Sequence, residues 1–481
     1  MNYKLLLLTA VLAPTVGSLL LPLAAAVSTR LRNILSLVLV LAALGASFAL
    51  AGAVADGHTV IRISLAMPMG MDLKLVADGM AVFVAIVSSL ISAIIVLYSW
   101  DYISHYENQN EYYVMVVMFL GAMMGLVYSG SLILLYVFWE ITAITSWRLI
   151  GFFREEIHVR RANKAFMVTI FGALAMLLGF IILWTQTGTF DMEAIREKLG
   201  GQSVSGLVAL LLLAGIFSKS ATLPFHTWLP DAGVAPSSVT ALLHAAVLVK
   251  IGVYVFARLF LATLVLSTDW HTVVLVVAAA SALVSACAAL VDTDLKRIIA
   301  YSTISQIAFI FLGLASGSQI GVIGGLLYIL MHGLAKGGLF LCAGIVEQKT
   351  HYRDIRQMGG LFRTMPVTAV SFAICAFSVM GIPPLGGFFS KYMVLSGGVA
   401  GGHLWISLVF LAGAVLTIIY LFRVFAAVFL GHKQATEKEG SPVMVACVAL
   451  LAFLGLVGGL WINLPSNFAL SAVLQLPGFT K

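Results

Sequence analysis

Long apolar runs follow one another through almost the whole chain, separated by short polar breaks. A helix needs roughly 20 apolar residues to cross the hydrocarbon core of a bilayer, so each run is a candidate membrane span. Taken in order they number fourteen, near 4–27, 31–55, 78–100, 112–129, 131–152, 166–187, 206–223, 236–260, 271–291, 297–316, 320–346, 367–394, 404–430 and 442–462. Only Ser129-Gly130-Ser131 separates the fourth from the fifth. Fourteen spans consume about 280 residues, which leaves a chain of 481 residues no room for a sizeable domain outside the membrane. The expected fold is all-α and polytopic, a single membrane domain over 1–481.

With 61% hydrophobic and 10% charged residues, the composition excludes a soluble enzyme. Cys287, Cys342, Cys375 and Cys447 lie far apart inside apolar runs, with no CxxC pair. They read as small buried core residues, not as ligands of an iron–sulfur cluster or zinc, so neither cofactor nor metal is expected in this chain. The first run, from Leu5 to Val27, follows one lysine and lacks a clear small-residue cleavage site, so it reads as a retained helix. A charge of +7 would suggest nucleic acid in a soluble protein. Here loop asymmetry accounts for it, and no nucleic-acid partner is expected. An even span count places both termini on one side of the membrane. That side carries seven basic residues, Lys4, Arg62, Lys74, Arg196, Lys198, Arg258 and Lys481. The other carries fifteen, including Arg30, Arg32, Arg148, Arg154, Lys296, Arg297, Arg353, Lys433 and Lys438. Positive residues gather in cytoplasmic loops, so both termini are predicted on the non-cytoplasmic side of a prokaryotic cell membrane.

Lys219, Lys250, Lys336, Lys391 and Arg423 instead fall inside or at the ends of spans, and Glu140 lies deep within one. A charged group at the bilayer centre costs about 2.5–3.5 kcal/mol on insertion scales, so four lysines and a glutamate carry a penalty of order 10 kcal/mol. Such groups normally face the protein interior and pair or relay ions, unless a long stem snorkels to the interface. The short stem of Glu140 makes snorkelling poor, and Lys250 lies mid-helix beyond His244. His332 and Lys336 stand one turn apart on one face. Lys219 and Lys391 lie closer to helix ends, where snorkelling remains open, and Arg423 reads as a snorkelled or packing residue. His226, just past Pro224, fits simple hydrogen bonding equally well.

Two spans are interrupted beside a lysine. Lys219-Ser-Ala-Thr-Leu-Pro224-Phe-His226-Thr-Trp-Leu-Pro230 breaks the seventh, and Gly381-Ile-Pro383-Pro384-Leu-Gly-Gly-Phe-Phe-Ser-Lys391 breaks the twelfth. Proline removes a backbone donor, and unwound backbone at membrane depth persists only where it lines a cavity or is buried in protein. The tenth span adds Tyr301, Ser302 and Thr303 within Tyr301-Ser-Thr-Ile-Ser-Gln306, which suits either ordered water or polar contacts between helices. Burial disfavours a charged amine and a nearby carboxylate favours it, so moving that neighbour would make a lysine release and recapture a proton. The expected row runs from Glu140 and Lys219 through Lys250, His332 and Lys336 to Lys391. The chain carries no visible energy source for that work and needs a redox partner or an opposing ion gradient.

Phe138-Trp-Glu140, the segment from Lys219 to Asp231, Pro236-Ser-Ser-Val-Thr-Ala-Leu-Leu-His244, Asp294-Leu-Lys-Arg-Ile-Ile-Ala-Tyr-Ser-Thr303 and Gly381 to Lys391 resemble the antiporter-like membrane subunits. That superfamily spans complex I proton-pumping subunits, membrane-bound hydrogenases and multisubunit sodium/proton antiporters. The resemblance implies two inverted five-helix repeats, 112–260 and 271–430, after three N-terminal helices within 1–111 and before a last helix at 442–462. It assigns proton transfer to Glu140, Lys219, Lys250, His332, Lys336 and Lys391, the last as a channel residue. It implies sister antiporter-like subunits, other membrane subunits and lipid as partners, with protons and also sodium as candidate ions. A redox-driven complex, the first expectation, would add peripheral redox subunits carrying iron–sulfur clusters, flavin or a nickel–iron site. A sodium/proton antiporter or an inorganic-carbon uptake system is the alternative. Two departures stand out. The motifs look most like the largest pump subunit, whose long lateral helix finds no counterpart in the nineteen residues after 462. Arg148 stands where relatives usually have an apolar or small residue, suggesting a local ion pair or an altered first channel.

Overall fold

The computed structural model describes residues 2–56, 59–67, 72–431 and 436–479; Lys433 and Lys481, counted among the loop charges, lie outside them. Among the described residues, twelve helices are long and apolar enough to cross a membrane. Gly206–Lys219 and Pro366–Met380 are shorter apolar helices that form the first parts of the interrupted spans 7 and 12, and with them the expected fourteen are present. Most boundaries fall within a few residues of the apolar runs. Span 6 is the exception, running over Glu156–Thr187 instead of starting near 166. Its first turns carry Arg160, Arg161 and Lys164, which hydropathy passes over but a helix accommodates, and Arg160 pairs with Glu156 one turn back at 2.8 Å.

Three elements have no counterpart in the apolar pattern. A β-hairpin pairs Ile61–Leu65 with Leu73–Ala77 in antiparallel register, Ile61 opposite Ala77, so the described residues are helical with one small sheet. A short helix, Met192–Leu199, is capped by the Asp191 side chain, which accepts from the backbone of Glu193 and Ala194, and ends at Gly200 with φ 55°. Lys74 ties hairpin to helix through Asp191 at 2.7 Å and Glu193 at 3.0 Å. After span 14, Pro442–Leu460, the helix Asn463–Leu474 packs back onto span 3, and the Gln475 side chain accepts from the Gly79 backbone at 2.6 Å.

Spans 4–8 and 9–13 present the same order of elements. Each block has two spans, then one of 32 residues (Glu156–Thr187 and Gln319–Thr350), then an interrupted span, then one containing a π turn. In span 8 the π turn is Leu242–Ala246; in span 13 it is Ala426–Leu430. Burial divides the molecule. The most apolar stretch of span 8 is wholly enclosed and those of spans 10 and 11 are 94% enclosed, against 33% for spans 2 and 13. Cys342, Cys375 and Cys447 are buried as expected, but Cys287 is exposed on the outward side of span 9, where hydrocarbon serves a small apolar residue as well as a core does.

Candidate functional site

Both interruptions bring a lysine to the end of a half-helix. Span 7 stops at Lys219, and the backbone resumes helical form only at Trp228–Asp231. The indole of Trp228 donates to the Ser218 carbonyl at 3.0 Å, satisfying a group the break would otherwise strand. Span 12 stops at Met380 and restarts at Gly386, so Pro383 and Pro384 lie in the gap, as Pro224 does in span 7. Lys391 reaches back across that gap and donates to the Val379 carbonyl at 2.6 Å. A helix C-terminus carries partial negative charge from its free carbonyls, so each broken span offers a cation a favourable end inside the membrane. Gly381, at φ 84°, turns the chain there and lies against the stem of Lys391. Lys391 is 4% exposed, which excludes snorkelling.

In the first block Lys219 is fully buried. Its amine donates to the Trp139 carbonyl at 3.2 Å and lies 5.2 Å from the centre of the Trp139 ring. Glu140, next to Trp139, lies within electrostatic reach of Lys219; among the described residues it forms no ion pair and its Oε1 has no partner. Span 7 closes on span 8 where Gly252 leaves room for the Ile216 carbonyl and Ser220. Ser220 and Thr222 share a hydrogen bond of 2.9 Å at that crossing, two residues along the helix from Lys250.

The centre is the seam between spans 8 and 11. Lys250, His244 and His332 are wholly buried, and neither the amine nor any of the four ring nitrogens finds a hydrogen-bond partner among the described residues. His244 packs on Phe340 at 4.4 Å between ring centres. Lys250 lies against Gly333, the neighbour of His332.

Beyond it the second block holds a connected network. Lys336 donates to Ser302 Oγ at 2.6 Å and to the Ile299 carbonyl at 3.1 Å. Tyr420 donates to the same Ser302 at 2.7 Å and lies 3.3 Å from Thr417. Gln306 donates to Thr417 at 3.2 Å and accepts from Tyr328 at 2.6 Å. The amine of Lys391 lies 4.7 Å from the Phe309 ring centre and 5.8 Å from that of Tyr328. Cation–π contact of this kind partly replaces hydration.

The structure thus places Lys219, Lys250, His244, His332, Lys336, Ser302 and Lys391, all buried, along one band, with the half-buried Glu140 beside its Lys219 end. Other candidates fall away from it. Tyr301 is half-buried and belongs with Arg297, whose guanidinium lies 5.7 Å from its ring and also pairs with Asp231 and Asp292. Thr303 donates only to its own helix, at the Ile299 carbonyl. His226 is half-buried within the break, next to Thr227, whose carbonyl accepts from Lys164. Arg148 forms a two-pronged ion pair with Glu111 of span 4, which Arg154 shares at 2.6 Å, so it is a local pair. Arg423 packs on span 9, donating to the carbonyls of Ala289 and Asp292. Sequence reasoning singled out Gln306 within the polar stretch of the tenth span but missed Tyr328, Thr417 and Tyr420. The spacing of Tyr328, His332 and Lys336, four residues apart, was an available signal. Among the described residues no group of three or more His, Cys, Asp or Glu could hold a metal ion.

Residues 129–417 match the family described as "NADH:quinone oxidoreductase/Mrp antiporter, TM". The chain is 34% identical over 441 residues to an Na(+)/H(+) antiporter subunit of Alkalihalophilus pseudofirmus, covering 85% of this chain and 55% of that protein. It is 33% identical over 439 residues to an Na(+)/H(+) antiporter subunit of Staphylococcus haemolyticus, covering 84% of this chain and 54% of that protein. The chain therefore spans about half the length of these relatives. Among solved structures, a chain of the Mrp complex from Dietzia sp. DQ12-45-1b superposes with a TM-score of 0.88 at 22% identity, covering 100% of this chain and 98% of that one. A chain of an archaeal membrane-bound sulfane sulfur reductase gives 0.90 at 22% identity, covering 98% and 97%. At that identity the likeness establishes the fold.

Proposed function

Since the chain belongs to the NADH:quinone oxidoreductase/Mrp antiporter transmembrane family, we propose that it is the proton-conducting subunit of a multisubunit sodium/proton antiporter. The buried band supports this reading: a membrane protein bears the cost of enclosed lysines where they move ions. Glu140 tunes Lys219; Lys250, His332 and Lys336 relay; Lys391 closes the row. The two five-span blocks, 112–260 and 271–430, act as inverted repeats, each with one broken helix whose end stabilises a cation. Sodium as the exchanged ion follows the names of the relatives. Sister membrane subunits complete the assembly, in a prokaryotic cell membrane with both termini on the non-cytoplasmic side. In this reading an opposing sodium gradient drives proton movement.

A redox-driven complex is the second reading, favoured by the family description, which joins quinone oxidoreductase to antiporter. Iron–sulfur, flavin or nickel–iron groups would then sit in partner subunits. Inverted membrane vesicles containing the chain with its neighbouring gene products separate the two. Under an imposed proton gradient, added sodium should collapse the gradient in the parent and leave it intact in Lys219→Ala. A gradient that forms only with an electron donor and ignores sodium would select the redox reading. Sodium response unchanged by Lys219→Ala would refute the role given to the buried band.

A further inference from the structure

Span 11 lays two glycines one turn apart along one face, Gly333 and Gly337, and their surroundings differ. A Cβ at Gly337 would meet Leu451 Cδ1 at 3.4 Å, Ile91 Cγ2 at 3.5 Å and Ala245 Cβ at 3.7 Å, all ordinary contact. A Cβ at Gly333 would lie 2.2 Å from Lys250 Nζ, 2.6 Å from Ile91 Cδ1 and 3.1 Å from the Ala245 carbonyl oxygen. The amine of Lys250 therefore fills the space that a side chain at 333 would take.

Two further observations give that space a purpose. The π turn Leu242–Ala246 lies immediately before Lys250, and Val247, at φ −127° and ψ −74°, departs from helical geometry there. It leaves the Ala245 carbonyl facing the same point on span 11 as the amine. His332, the residue before Gly333, is fully buried, and among the described residues both its ring nitrogens are unpartnered, as is the amine of Lys250. Two buried basic groups from different five-span blocks thus stand on facing helices, within electrostatic reach of one another but not hydrogen-bonded.

We propose that Gly333 is a positioning residue for ion transfer: lacking a side chain, it lets the Lys250 amine lodge in the flank of span 11 beside His332, so that the step between the two blocks passes through this pair. One proton leaves Lys250 Nζ and arrives on an imidazole nitrogen of His332, leaving a neutral amine and a cationic ring; the return reverses it. The inference rests on the transport reading above.

The test compares Gly333→Ala, Gly337→Ala, Lys250→Ala and the double variant Gly333→Ala/Lys250→Ala in the full complex, in inverted vesicles. Both atoms crowded below 3 Å by an alanine at 333 are free ends of side chains, so the fold can yield while the amine moves. Gly333→Ala should accumulate normally yet lose transport by between roughly 10- and 100-fold, the scale of a misplaced reacting group. Its transport-against-pH profile should shift, which mere loosening of packing would not do. Gly337→Ala should keep parental rate and profile, and the double variant should be no worse than Lys250→Ala. Parental rate and profile in Gly333→Ala, with Lys250→Ala inactive, overturns the inference and spares the transport reading. Normal transport in Lys250→Ala overturns the transport reading itself and the inference with it. If Gly333→Ala fails to accumulate, Ile91→Val added to it removes the second crowded atom, and parental transport in that pair overturns the inference equally.

Discussion

Lys336 and Lys250 are equally enclosed and stand on facing helices, yet their surroundings are opposites. Around Lys336, the Ser302 hydroxyl, the Ile299 carbonyl, Tyr420, Thr417, Gln306 and Tyr328 form a network in which each member finds a partner. Around Lys250, His244 and His332, the polar atoms find none among the described residues. A satisfied network fixes geometry, whereas an unsatisfied buried polar group costs about 1–3 kcal/mol and gains from any change that supplies a partner. The second block is therefore built to hold its charge in one place. On the transport reading proposed above, the seam between the blocks is where charge would be handed on.

Removing each lysine is the most severe way to break this contrast. Lys250→Ala should slow transport by roughly 10²–10⁴-fold, as expected for a lost proton-transfer group. It should leave the thermal midpoint of the detergent-purified protein unchanged or raised, because an unpartnered buried group is gone. Lys336→Ala should slow transport comparably and also lower stability by about 1–2 kcal/mol, since Ser302 loses a bonded partner. Equal thermal shifts in the two variants would erase the distinction. Ser302→Ala sharpens it at smaller scale: transport should fall severalfold and stability by about 1 kcal/mol, because Lys336 keeps its bond to Ile299 while Tyr420 loses one of two.

The smallest effect lies outside the membrane, at the hairpin clamp. Burial alone would raise the Asp191 carboxyl, but hydrogen bonds from Lys74 and the backbone of Ala194 hold it below its usual value. The hydrogen bond from Lys74 lowers Glu193 directly. Carboxyls depressed in the folded state stabilise it above their unfolded values, near pH 4, and that contribution is lost as pH falls through the folded values. Glu193→Gln should cost under about 1 kcal/mol at neutral pH after screening by solvent. Its thermal midpoint should converge on that of the parent as the buffer is taken from pH 7 to below pH 4. A difference that persists in acid would mean the clamp owes nothing to charge.

Much of the frame was legible because lipid permits so few solutions. Apolar length marked the spans, and proline beside lysine marked the two breaks. Hydropathy reports where the membrane lies, not where a helix begins, and so the charged first turns of span 6 were missed. Single hydroxyls such as Thr417 and Tyr420 in an otherwise apolar helix give no hint of which neighbour they face. Ser302 and Thr303 are adjacent and chemically alike, yet helical rotation sends only one to Lys336. The seat of Lys250 depends on the register of two helices 83 positions apart at their contact, Lys250 against Gly333, and on a π turn that no local pattern announces.

The two 32-residue helices have a consequence for how the protein sits. At 1.5 Å per residue each is about 48 Å long, well beyond a hydrocarbon slab of about 30 Å. Span 6 gains its surplus at its start and span 11 at its end, so both overhang the same face, carrying Arg160, Arg161 and Lys349. Basic stubs at that height meet the phosphates of lipid headgroups and resist sliding in either direction. On the transport reading the pair would serve as a float line, fixing the depth of the polar band.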